Sequence, residues 1–156
     1  MRNLEKIVAR KDTLLKDLLH QLDEAPRFDL PGGIILIVDK EKKIIGTVTD
    51  GDIRRAILKK GTLDIRAEDI MTKDPIVFYD QLSIKQILEA IVTELEKRNR
   101  KSKRFLSKVV LVDDDKRPTR VLDYHQLWEQ RVAMHRHLCV VGMGYVGLKL
   151  ALVLAD

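Results

Sequence analysis

The chain carries one passage twice. Ile35-Leu36-Ile37-Val38-Asp39-Lys40-Glu41 returns 74 positions later as Val109-Val110-Leu111-Val112-Asp113-Asp114-Asp115, and the match runs without a gap through Ile53 and Leu127. A repeat constrains architecture more than any single element, because each copy must bury an apolar face and the other copy offers an equivalent one. Upstream, Asp12-Thr13-Leu14-Leu15-Lys16-Asp17-Leu18-Leu19 resembles Asp80-Gln81-Leu82-Ser83-Ile84-Lys85-Gln86-Ile87-Leu88 with one inserted residue, so each copy also begins with a helix.

Spacing supplies the elements. Leu15, Leu18, Leu19 and Leu22 form one helical stripe, and Ile84, Ile87, Leu88, Ile91 and Leu95 form the other. Ser83 with Gln86 is a capping-box pattern at the start of the second helix, and Asp12 or Thr13 is placed to cap the first. The β-branched runs Ile34 to Val38 and Val109 to Val112 suit strands buried on both faces. Acidic turns at Asp39 to Lys42 and Asp113 to Arg117 reverse the chain into the next strand. With Ile7-Val8 and Ile76-Val77-Phe78 as short leading strands, each unit reads β-α-β-β-α. The expected fold class is α/β (α+β), two such units packed about a pseudo-twofold axis, over residues 3–70 and 71–131.

Composition narrows the setting. The 156 residues are 45% hydrophobic and 34% charged, and no apolar run reaches the roughly 18 residues of a membrane helix. The N-terminus lacks a signal-peptide pattern, and the single cysteine, Cys139, can form no internal disulfide, so the cytoplasm is the expected compartment. Lys97, Arg98, Arg100, Lys101, Lys103 and Arg104 outweigh the net charge of +5, so the rest of the chain is nearly neutral. That local run reads as a solvated connector completing the preceding helix dipole, with no recognition helix to suggest a nucleic acid. Trp128 continues the apolar face of the last short helix and is expected in the core, whereas His20 and His125 read as surface or packing histidines. His135 and His137 have no converging partners, so no metal is expected.

The chemistry concentrates after the first repeated strand. A strand ending at Val48 and a helix beginning within Asp50-Gly51-Asp52-Ile53 leave free backbone N–H groups and a positive dipole end beside Thr49. Thr49 can donate its hydroxyl to a phosphate, the Asp52 carboxylate can accept both hydroxyls of a ribose, and Arg54 or Arg55 can add charge opposite a polyphosphate. The same residues also make an ordinary helix start, with Thr49 and Asp50 as caps and Asp52 in the first turn.

The segment Gly46-Thr47-Val48-Thr49-Asp50-Gly51-Asp52-Ile53-Arg54-Arg55, with Asp69-Ile70-Met71-Thr72-Lys73-Asp74-Pro75 after it, resembles the CBS domain family. The resemblance spans about residues 3 to 131, and the tandem arrangement looks like a Bateman module, which in that family commonly binds adenine nucleotides. Gly46, Thr47, Val48, Thr49 and Asp52 match the family's nucleotide signature, Gly, two apolar residues, Ser or Thr, two variable residues, Asp. The resemblance implies a regulatory site for AMP, ADP or ATP over Thr49, Asp50, Asp52, Arg54 and Arg55, and association of two chains as a homodimer. In the second copy Arg120, Asp123 and Gln126 replace Gly46, Thr49 and Asp52, and Pro118 stands opposite Ile44. Added bulk, a charge that repels phosphate and a weaker acceptor each disfavour a nucleotide there. One competent site is expected, formed by the first copy and walled by the second.

After a linker at 132–137 the pattern changes. Leu138-Cys139-Val140-Val141 reads as a strand, Gly142-Met143-Gly144-Tyr145-Val146-Gly147 satisfies G-x-G-x-x-G, and Leu148 to Ala155 reads as a helix. Gly142, Gly144 and Gly147 provide the tight turn, the approach of a pyrophosphate and close helix packing in a Rossmann fold. Val140 to Leu148 is similar to the opening of the UDP-glucose/GDP-mannose dehydrogenase family, which oxidises nucleotide sugars with NAD. Lys149 stands where that resemblance leads one to expect proline. No position matching that family's catalytic residues lies in these residues, so the chain is expected to be a truncated product without activity, NAD belonging to the intact parent. The expected function is a nucleotide sensor for the dehydrogenase; the alternative is a ligand-free dimerisation scaffold.

Overall fold

The computed structural model describes residues 3–98 and 107–134. Strand β1 (Val8–Arg10) follows a 3-10 turn at Leu4–Ile7 and leads to helix α1 (Leu15–Glu24). A second 3-10 turn at Ala25–Phe28 precedes the hairpin of β2 (Ile34–Val38) and β3 (Ile44–Thr49), which feeds helix α2 (Asp50–Lys60). A short helix α3 (Ala67–Ile70) and a two-residue strand β4 (Thr72–Lys73) close the first unit. The second unit runs β5 (Val77–Tyr79), α4 (Ile84–Lys97), β6 (Lys108–Val112), β7 (Pro118–Asp123) and α5 (Tyr124–Met134).

The strands form two sheets, ordered β1-β2-β3-β4 and β5-β6-β7, with a parallel first pair and an antiparallel hairpin in each. The mixed α/β class and the two-copy plan are therefore as expected. The duplication is visible atom by atom. Asp39 Oδ1 accepts from the Lys43 amide at 2.8 Å and Asp113 Oδ1 from the Arg117 amide at 2.8 Å. Lys42 and Lys116 both take the left-handed conformation in these turns, with φ of 64° and 62°. Each hairpin also shifts register at the same place, between Ile37 and Val38 and between Leu111 and Val112.

Five details differ from the sequence expectation. The first strand begins at Val8 because Ile7 ends the preceding 3-10 turn, and β4, beyond the expected boundary at residue 70, pairs with β3. Neither Asp12 nor Thr13 caps α1. Its N-cap is Leu14, whose counterpart by strand register is Ser83, and the Thr13 hydroxyl accepts from the Arg10 amide at 3.1 Å. The start of α1 is held instead by the Leu15 amide, which donates to the Ile65 carbonyl at 2.8 Å. Trp128 is 42% exposed, while its neighbour Leu127 is buried. Helix α5 continues to Met134, into the stretch expected as linker.

The cores explain why the copies need each other. In β6, Val109 and Leu111 pack with Ile87, Leu88 and Ile91 of α4, whereas Val110 and Val112 pack into the core of the first copy with Ile35, Leu36 and Val48. This period-2 partition is what an all-apolar strand provides. Each valine so buried contributes roughly 1.5–3 kcal/mol. At the far turns the Ile44 amide donates to the Lys116 carbonyl at 3.0 Å, and Arg117 Nε donates to the Glu41 carbonyl at 3.2 Å. The twofold counterpart of the first bond would start from residue 118, and Pro118 has no N–H to give.

Lys97 pairs with Glu94 at 2.8 Å, and Arg98 donates to the Asp74 carbonyl at 2.6 Å, closing the end of α4. Arg100, Lys101, Lys103 and Arg104 lie outside the described residues, as do His135, His137, Cys139 and the expected strand and helix with Gly142, Gly144 and Gly147. Among the described residues no helix is long and apolar enough to cross a membrane.

Candidate functional site

Thr49 ends β3 and is the N-cap of α2, so backbone geometry alone aims its side chain at the first turn of the helix. Asp52 sits three positions on and completes a capping box. The Thr49 amide donates to Asp52 Oδ2 at 2.9 Å, the Thr49 hydroxyl donates to the same oxygen at 2.6 Å, and the Asp52 amide donates back to the hydroxyl at 3.4 Å. Arg55, one turn further, donates to Asp52 Oδ1 at 2.6 Å. Thr49, Asp52 and Arg55 thus form one chain of polar contacts. Its inner end is sheltered, with the Asp52 side chain 14% exposed, and its outer end is open, with that of Arg55 73% exposed.

These three residues line a cleft of about 450 Å³, within the usual range of small-molecule sites. Ile34, Thr47 and Thr72 complete the first-copy wall, and Pro75, Ile76, Ser107, Lys108 and Val110 form the opposite one. Thr47, the slightly polar member of the motif, is buried there. Asp50 and Arg54, also expected at the site, are exposed and do not line the cleft. Gly46 does not line it either. A Cβ at Gly46 would meet Met71 Sδ at 2.7 Å and the Thr72 carbonyl at 3.1 Å, so the glycine admits β4 rather than a ligand.

The opposite wall brings in what sequence reasoning missed. Lys108 opens β6 and reaches Asp123, the counterpart of Thr49, with Nζ 2.6 Å from Oδ2. That hydrogen bond, assisted by the backbone N–H of His125, holds the Asp123 carboxyl below its ordinary value of 3.8 against the opposing effect of burial. Asp123, Gln126 and Arg120 line a separate hollow of about 250 Å³ whose other walls are mainly leucine and isoleucine. The signature positions of the two copies therefore face different spaces. A signal for Lys108 was present: by the 74-residue offset it stands where the first copy has Ile34, a charge at the head of an otherwise apolar strand.

Residues 3–59 match the family model of the CBS domain. Two uncharacterized proteins of Helicobacter pylori are each 30% identical over 117 residues, 75% of this chain and 31% of theirs, so the chain spans about a third of the length of the curated relatives it matches. Among solved structures, CBS domain protein PAE2072 from Pyrobaculum aerophilum, complexed with AMP, aligns at a TM-score of 0.62 and 18% identity over 86% of this chain and 95% of that one. The CBS domain pair of protein MJ0100, in complex with 5′-methylthioadenosine and S-adenosyl-L-methionine, aligns at 0.59 and 21% over 80% of this chain and 90% of that one. The family match and the shared architecture identify the fold as that of a CBS domain pair.

Proposed function

We propose that this CBS domain pair is a regulatory module that binds an adenine nucleotide, AMP, ADP or ATP, in the cleft of Thr49 and Asp52. The observation that carries the reading is the cleft itself: a hydroxyl, a sheltered carboxylate and two cations, Arg55 and Lys108, converge on a space of nucleotide size. The adenosine ligands of PAE2072 and MJ0100, bound by pairs of the same fold, support it. Binding works by exchange. Ribose hydroxyls displace the Thr49 hydroxyl and the Arg55 head from Asp52, the amide of Thr49 keeps its bond, and the freed hydroxyl turns to a phosphate oxygen.

A calorimetric titration with AMP, ADP, ATP and pyrimidine nucleotides tests the reading. Adenine nucleotides should bind, with Asp52→Asn weakening them at least about tenfold through loss of a charge-assisted bond. Binding by none of them, or unchanged binding in the variant, sinks it.

The reading extends to what the module governs. The strand, Gly142-Met143-Gly144-Tyr145-Val146-Gly147 and helix expected at 138–156 support attachment to an NAD-dependent nucleotide-sugar dehydrogenase in the cytoplasm. Regulation then requires that the nucleotide bind two states of the whole protein unequally. An unchanged rate of NAD reduction, with and without adenine nucleotide, in a protein joining this pair to that catalytic domain would count against it.

One observation favours a second reading. The capping box accounts for Thr49 and Asp52 with no ligand at all. On that reading the pair is a dimerisation scaffold, and sedimentation should show association that neither nucleotide nor Thr49→Ala alters.

A further inference from the structure

We infer that Lys108, supplied by the second copy, is the residue that distinguishes a phosphorylated from an unphosphorylated ligand in the first cleft, and that Asp123 restrains it. The inference rests on the nucleotide reading and adds the residue that selects charge. The cleft has two cations on its walls. Arg55 pairs with Asp52 at 2.6 Å until a ribose displaces it, and its side chain is 73% exposed, so water and salt screen its charge whether paired or freed. The Lys108 side chain is only 17% exposed, so its charge acts through a less screened environment.

The ammonium of Lys108 has three donors, and the bond to Asp123 uses one. Its partner faces away: Lys108 lines the first cleft and Asp123 the hollow of the second copy, so the ion pair lies between the two spaces. A phosphate entering the first cleft engages the remaining donors or draws the ammonium off the carboxylate. The negative charge of Asp123 opposes both, because it lowers the local potential and competes for the same N–H groups. A neutral nucleoside makes no such demand on Lys108. Asp123 is also held from its own side, since Oδ1 accepts from the His125 amide at 2.9 Å, so it stays in place when the lysine leaves.

The test is calorimetry with AMP and adenosine on the wild type, Lys108→Met, Asp123→Asn and the double variant. Methionine keeps most of the apolar stem, and asparagine keeps an oxygen for the His125 amide. Lys108→Met should weaken AMP about tenfold, the size of one charge-assisted bond, and leave adenosine unchanged. Asp123→Asn should tighten AMP several-fold without affecting adenosine, and the double variant should match Lys108→Met. Equal loss of both ligands in Lys108→Met overturns the inference by making Lys108 a packing residue, and so does AMP binding left unchanged by Asp123→Asn. Adenosine binding by a wild type that holds AMP no more tightly also overturns it while sparing the nucleotide reading. Binding of neither ligand removes both.

Discussion

At Gly46 the side chain is excluded by a neighbouring strand: Met71 Sδ and the Thr72 carbonyl already occupy the space a Cβ would need. The Met71 side chain must swing aside and the Thr72 carbonyl cannot yield without disturbing β4, so Gly46→Val should cost about 1–3 kcal/mol in urea denaturation, the range of overpacked sites. Arg120, at the same place in the second copy, is exposed, and no strand lies outside β7 among the described residues. Asp123 yields a prediction in pH. Its carboxyl titrates lower in the folded chain than its ordinary value of 3.8, because Lys108 and the His125 amide favour the charged form. Its contribution to stability is therefore fully present above that value and is lost as pH falls through the lower native one. The stability gap between wild type and Asp123→Asn should be widest near neutrality and narrow below about pH 4, as denaturation at stepped pH will show.

Among the elements, the capping box of α4 and the uncapped start of α1 make a matched experiment. Ser83 accepts from the Gln86 amide at 3.3 Å, while Gln86 Oε1 accepts from the Ser83 amide at 2.9 Å. Ser83→Ala should cost about 1 kcal/mol, and Thr13→Ala less than about 0.5 kcal/mol, since Thr13 caps no helix. Strands β2 and β6 were legible because an unbroken apolar run has only one economical use, burial on both faces. The stripes of α1 and α4 were legible for the same kind of reason. The missing cap was not, because matching Asp12 with Asp80 requires an inserted residue that the strand register, Val8 with Val77, does not need. Helix α3 has four residues and β4 two, too few for any period to appear. Trp128 was misplaced by hydropathy, although the repeat aligns it with exposed Arg54 and buried Leu127 with Ile53. The repeat was the better guide.

For the molecule as a whole, Val110 and Val112 make the first copy's core a shared one. Val110→Ala removes about two buried methylene equivalents, near 1.6 kcal/mol, and should lower both halves together in a single unfolding transition. Two separate transitions would show that the copies fold apart. The Ile44 amide, bonded across the copies, should exchange its hydrogen as slowly as the core strands; rapid exchange would show that the seam opens by itself. The site was half legible at this scale. Thr49, Asp52 and Arg55 stand together in sequence, but Ser107 and Lys108 reach the cleft only through the packing of one copy on the other.

That seam has a mechanical consequence. The Ile44 and Arg117 bonds fasten the hairpins at their turns, whereas Ile34 and Lys108 mark the opposite ends of the same strands, at the cleft. A five-residue strand is a lever arm of about 17 Å. A swing of about 3° about the fastened turns carries the far ends about 1 Å apart, roughly a third of a hydrogen-bond length. With the turns fastened, the mouth of the cleft would convert a slight angular change into the difference between a bond held and a bond lost.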